Sequence, residues 1–93
     1  MHIYISGPIT GTADYIRRFM EAENTLLKMG YSPINPVSYS PAGESWEYYM
    51  RQDIMKLMYC DSIYMLKGWR RSKGARLEHK IAQEMGFKIL YEH

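Results

Sequence analysis

Short β-rich runs alternate along the chain with longer stretches whose apolar residues fall three and four apart. The first run, HIYIS at residues 2–6, alternates in polarity and is closed by Gly7-Pro8, the pattern of a strand leading into a turn. Tyr15, Phe19, Ala22, Leu26 and Met29 then repeat at helical spacing, which predicts an amphipathic helix with Asp14 as N-cap and Gly30 as its stop. A weaker run, YSPINP at 31–36, carries Pro33, which cannot donate to a ladder and so assigns this strand to a sheet edge. Residues 37–44 read as a loop rich in Ser, Pro and Gly. Ser45 is placed to cap a second helix that has Trp46, Tyr49, Met50, Ile54 and Leu57 on one side. SIYML at 62–66 is almost continuously apolar, as expected of a strand covered on both faces. A basic loop, a third helix ending near Met85 with Gly86 as its stop, and a last strand, FKILY, complete the series.

The order β-α-β-α-β-α-β with short connections predicts a parallel sheet with helices on both faces and right-handed crossovers. This is the α/β doubly wound (Rossmann- or flavodoxin-like) three-layer sandwich, here with four strands. Because Pro33 sends the second strand to an edge, the expected strand order is 2-1-3-4. Ligands of such sheets bind beyond the C-terminal ends of the strands where the order reverses. That directs attention to two loops, SGPITG after strand one and KGWRRSKG after strand three. Residues 1–93 are read as a single domain, since two would each be too small to bury a core. A domain of this size gains stability from association, and its many Tyr, Trp and Met residues offer amphipathic surface, so a homo-oligomer, dimer or higher, is expected.

Charge narrows the partners. A net charge of +2 is too small for a dedicated nucleic-acid binder, although Arg70, Arg71, Lys73 and Arg76 cluster in one loop. One cysteine, Cys60, permits no internal disulfide, which fits a reducing compartment. No apolar run approaches the roughly 18 residues of a membrane span. The expectation is a cytoplasmic protein with no membrane partner.

Two carboxylates lie in apolar company. Asp53 shares a helical stripe with Trp46, Met50 and Leu57, where a carboxylate needs a partner. It is either a structural acceptor for a neighbouring loop or arginine, or a site acid or substrate ligand. Glu78 falls within the arc of Ala75 and Ala82 on the third helix, opposite the charged side formed by Arg76, His79, Lys80, Gln83 and Glu84. It is expected within about the first turn, where it either complements the helix dipole from the surface or acts as a reactive group facing the crevice. Ser72, Gly74 and the first helical N–H groups form either an anion seat or part of a solvated basic loop. Neither loop carries a phosphate-loop or dinucleotide fingerprint. His2, His79 and His93 lack metal-ligand spacing, and Cys60 lacks an obvious histidine partner, so no metal and no organic cofactor is expected.

Three blocks, IYISGPITG, RQDIMKLMYCDSIYML and SKGARLEHKIAQEMG, resemble the signature segments of the nucleoside 2-deoxyribosyltransferase-like superfamily, nearest its short bacterial and phage members. Each block is degenerate alone; their order and spacing along nearly the whole chain carry the likeness. The resemblance implies cleavage of the N-glycosidic bond of nucleosides or nucleotides. It places Glu78 as nucleophile, Tyr4 as the group that positions it, and Asp53 as the group assisting the departing base. Ser6, Gly7, Pro8, Ile9, Gly68, Trp69, Ser72 and Gly74 would line the substrate site. Asp61 matches a further aspartate of the family, with a strand-leading cap as its alternative role. Ser72, where free-nucleoside transferases carry an aspartate, is similar to the branch that hydrolyses deoxynucleoside 5′-monophosphates. His79 departs from the Leu-Gly that usually follows the glutamate. Two other functions stay in view: a nucleotide-binding or sensing module with little chemistry, and a nucleic-acid-binding protein that uses the basic loop.

Overall fold

The computed structural model describes residues 1–39 and 42–93. β1 (His2–Ser6) is buried from Ile3 onward, and its alternation sorts side chains between two faces. Ile3 and Ile5 pack with Phe19, Ala22 and Leu26 of α1 (Tyr15–Lys28). Tyr4 turns to the opposite face and packs with Leu57, Ile63, Met65, Ala75 and Ala82. That face is covered by α2 (Trp46–Met58) and α3 (Lys73–Glu84). With β2 (Ser32–Ile34), β3 (Ser62–Met65) and β4 (Lys88–Tyr91) the sheet is entirely parallel, in the order β2-β1-β3-β4. The topology expected from Pro33 is therefore the one observed, with helices on both faces. Among the described residues no helix is long and apolar enough to cross a membrane.

Local signals explain most boundaries. Gly30 and Gly86 adopt φ of +90° and +74°, and the paired bonds Tyr31 N–H to Leu26 C=O and Gly30 N–H to Leu27 C=O close α1. Ser45 caps α2 as expected, its hydroxyl accepting from Tyr48 N–H at 3.1 Å. Asp14 does not cap α1. Its carboxylate is drawn instead to the Arg17 guanidinium at 2.6 Å, and its backbone lies outside the extended geometry a capping side chain needs. β2 is shorter than the sequence run because Asn35 leaves the sheet: its side chain accepts from Val37 N–H and donates to Glu23. A 3-10 turn, Pro36–Tyr39, follows inside the segment read as loop; residues 40 and 41 of that segment lie outside the described residues. A second 3-10 turn, Trp69–Arg71, separates β3 from α3.

Candidate active site

The helical phase of α3 and the two-residue period of β1 meet at Glu78. Ala75, Glu78 and Ala82 are the buried residues of α3, and the two alanines let the helix lie close on the sheet. Tyr4 and Ser6 project from β1 toward it. The Tyr4 hydroxyl donates to Glu78 Oε2 at 2.7 Å, and the Ser6 hydroxyl donates to Glu78 Oε1 at 2.6 Å. Each carboxylate oxygen thus has one short O–H donor, which fixes the orientation of the group.

Position within the helix corrects one expectation. α3 starts at Lys73, so Glu78 is its sixth residue and stands in the second turn, beyond the reach of the free first-turn N–H groups. It is 4% exposed, and this burial sets its chemistry. Desolvation pushes its carboxyl up to about 8; the Ser6 and Tyr4 hydrogen bonds pull it down, and the Asp53 charge pushes it further up. Tyr4 is raised well above its ordinary value, first by burial and then by the Glu78 charge, so it remains a proton donor.

Asp53 comes from the buried stripe of α2 with Met50 and Leu57. Its Oδ1 is buried and makes no hydrogen bond among the described residues. The nearest ammonium, Lys56 Nζ, lies at 3.9 Å. Burial raises the Asp53 carboxyl to about 6, with Lys56 lowering it in part. The loop or arginine that a purely structural aspartate requires does not reach this oxygen.

Asp53 and Glu78 share a pocket of about 430 Å³ with Gly7, Ile9, Ser72 and Gly74, all four of which were expected there. Its volume falls in the range of small-molecule sites. Its position follows from β1, whose neighbours β2 and β3 reach it by crossovers running opposite ways along the sheet. Two of the glycines are explained by close approach. A Cβ on Gly7 would sit 2.7 Å from Leu66 Cβ, and one on Gly74 would sit 2.9 Å from Met50 Sδ. Ser72 caps α3 by accepting from Ala75 N–H at 3.2 Å, which leaves its O–H available to donate. Lys73 and Gly74, the first two helical residues, have N–H groups without intrahelical partners.

The other expected residues lie elsewhere. Tyr4 and Ser6 stand behind Glu78 and touch it, and Pro8 does not line the pocket. Gly68 and Trp69 line a separate hollow of about 350 Å³ near Tyr91 and Glu92. There Trp69 stacks on His79 with ring centroids 4.1 Å apart, and His79 Nε2 meets the Tyr91 hydroxyl at 2.8 Å. His79 therefore points away from the pocket. Asp61 is an exposed residue leading β3, in contact with the Ser62 hydroxyl. Burial, and then the Asp61 charge, push the Cys60 thiol up to about 11, so it is no thiolate.

Most of the basic cluster is held by contacts outside the pocket. Arg70 lies over the Trp69 ring, the Arg71 guanidinium lies against Gly68, and Arg76 donates to the Arg70 carbonyl. Lys73 is the member nearest the pocket, its Nζ 4.1 Å from the ring centre of the pocket residue Trp46. None of the four lines the pocket itself. Sequence reasoning did not assign Tyr15, Val37, Trp46 or Tyr49 as pocket walls. For Trp46 and Tyr49 the signal was available, because they share the α2 stripe that delivers Asp53. Among the described residues no three His, Cys, Asp or Glu side chains gather as a metal site.

No curated protein matches the chain. A family described as a domain of unknown function (DUF4406) matches residues 1–91, nearly the entire length, and the chain belongs to that family.

Proposed function

We propose that the protein cleaves the N-glycosidic bond of a nucleoside or nucleoside 5′-monophosphate, with Glu78 as the nucleophile. The observation that carries this reading is the buried Glu78 carboxyl held by Tyr4 and Ser6 in a pocket that also contains the hydrogen-bond-deficient Asp53. A carboxylate so oriented suits capture of an anomeric carbon. Glu78 forms a bond to C1′ as the C1′–N bond breaks, and the electron pair leaves with the base nitrogen. Protonated Asp53 delivers the proton that the base needs. Water then attacks C1′, Glu78 departs as carboxylate, and the water proton returns to Asp53. The sum is substrate plus water giving sugar plus free base.

The titrations of the two carboxyls bear on this cycle. They belong to an interacting pair, with steps near 6 and near 8, so one proton is shared between those values. Catalysis requires that proton on Asp53 and the charge on Glu78. Without substrate the higher value of Glu78 leaves that proton on Glu78, even with its two O–H donors. The positive charge that develops on the sugar draws the negative charge to Glu78 and so moves the proton to Asp53. Neutral Ser72 at the mouth, with the first N–H groups of α3, favours a 5′-phosphate where an aspartate would repel it. A cytoplasmic setting agrees with such a substrate.

Comparing deoxynucleosides with their 5′-monophosphates, with free base as readout, tests the phosphate assignment; faster release from the uncharged nucleosides refutes it. The high titration of the buried Glu78 favours a second reading, a nucleotide-sensing module with little turnover. That module would show thermal stabilisation by nucleotides without any product.

A further inference from the structure

The two edges of the sheet differ. β2 is three residues long and carries Pro33, both of which discourage further pairing. β4 is one residue longer and contains no proline, and it pairs with β3 on one side alone. The bonds Lys88 N–H to Asp61 C=O at 3.2 Å and Glu92 N–H to Met65 C=O at 2.9 Å fix its phase. Lys88, Leu90 and Glu92 address β3, so Ile89 and Tyr91 direct their N–H and C=O groups away from the sheet. Ile89 and Leu90 are only half-buried, and Tyr91 is 45% exposed.

We propose that this edge is a self-association surface. It takes β4 of a second copy as an antiparallel neighbour about a two-fold axis at Leu90, joining two four-stranded sheets into one. Hydrogen-bond phase restricts the register. An axis between Ile89 and Leu90 would oppose an outward-facing residue to an inward-facing one, so the axis must pass through a residue. At Leu90 it makes Ile89 and Tyr91 hydrogen-bonded partners, and it sets Lys88 directly opposite Glu92 at the closer, non-hydrogen-bonded spacing. Symmetry makes that opposite-charge match twice. An axis at Ile89 instead sets Lys88 opposite Leu90 and leaves the charge unmatched. A second copy is the occupant favoured, because the charges complement when the strand is read against its own reversal.

Lys88 and Glu92 have contacts in their own chain that are compatible with this pairing. Lys88 Nζ donates to the Tyr31 hydroxyl at 3.0 Å, and Glu92 Oε1 accepts from Lys67 N–H at 2.8 Å, with Arg18 at 3.5 Å. The ammonium keeps two further donors and the carboxylate a second oxygen. The proposal is independent of the catalytic reading, since none of these residues lines the pocket of Glu78.

Sedimentation equilibrium of the full chain at tens of micromolar tests it, and a dimer is expected. Ile89→Pro removes an outward N–H without touching the β3 ladder, so it should give a folded monomer by circular dichroism. Lys88→Glu sets glutamate against glutamate twice and should raise the dimer dissociation constant by about tenfold or more. Adding Glu92→Lys should restore dimerisation. Should Ile89→Pro fail to fold, the two charge variants decide the matter. A monomeric wild type, or a dimer indifferent to Lys88→Glu, overturns the proposal.

Discussion

Glu78→Gln should make the protein more stable, by an amount that grows with pH. The Glu78 carboxyl moves from an ordinary value of 4.5 in the unfolded chain to about 8 in the fold, mainly through burial. A group whose value is raised on folding contributes stability that is fully present below the unfolded value and lost as pH rises through the folded value. As pH rises from 4.5 toward 8, the unfolded chain releases the proton while the fold retains it, so stability is lost across that window. The gap of about 3.5 between the two values, at roughly 1.4 kcal/mol each, sets a ceiling of about 5 kcal/mol at pH 8 and above. Glutamine keeps the shape, is neutral throughout, and can both accept from and donate to the hydroxyls of Tyr4 and Ser6. Denaturant titrations of both proteins from pH 4 to 9 should give a difference that is small near pH 4, widens through neutrality and levels off above pH 8. In a domain of this size a gain of about 3 kcal/mol raises Tm by roughly 12–24 °C. A variant less stable than wild type at pH 8 refutes the reasoning, because the hydrogen bonds from Tyr4 and Ser6 would then outweigh burial. A difference independent of pH refutes it as well.

Tyr4→Phe removes the donor to Glu78 Oε2 and raises the Glu78 titration further, so it should slow base release between about pH 6 and 8 and move the alkaline fall of the base-release profile to higher pH. Gly7→Ala forces a Cβ to within 2.7 Å of Leu66 Cβ and should destabilise by about 1–3 kcal/mol in denaturant titration. Ser45→Ala should lower stability by about 1 kcal/mol, whereas Asp14→Ala should change it by less than about 0.5 kcal/mol, since of these two only Ser45 caps its helix.

Features governed by short-range periodicity were legible in the sequence. Pro33 placed β2 at an edge, and the helical phase of residues 75–82 turned Glu78 inward among alanines. Asp53 stood out for the same reason. Features that depend on three-dimensional juxtaposition were not legible. Ser6 was expected at the sugar-phosphate site, but its partner is Glu78, 72 residues away, and only the seating of α3 on β1 decides that contact. Trp69 and Gly68 adjoin Ser72 and Gly74 in sequence, yet the turn at Trp69–Arg71 carries them toward β4. The basic cluster was compact in sequence, yet none of its cations lines the pocket, because each is engaged nearby: Arg70 by the Trp69 indole, Lys73 by the Trp46 indole, Arg76 by the Arg70 carbonyl and Arg71 against Gly68. Asp14 shows the same competition on a smaller scale, where Arg17 draws the carboxylate away from the helix end.

The most direct test is release of free base from a panel of deoxynucleosides and their 5′-monophosphates, followed by chromatography for wild type, Glu78→Gln and Asp53→Asn. Wild type should release base, fastest between about pH 6 and 8, where the pair holds a single proton. Asp53→Asn should slow release by about a hundredfold or more, and Glu78→Gln should abolish it while melting higher than wild type, so that the loss cannot be attributed to unfolding. Undiminished release by Glu78→Gln, or a wild type that binds these compounds and frees no base from any of them, contradicts the account.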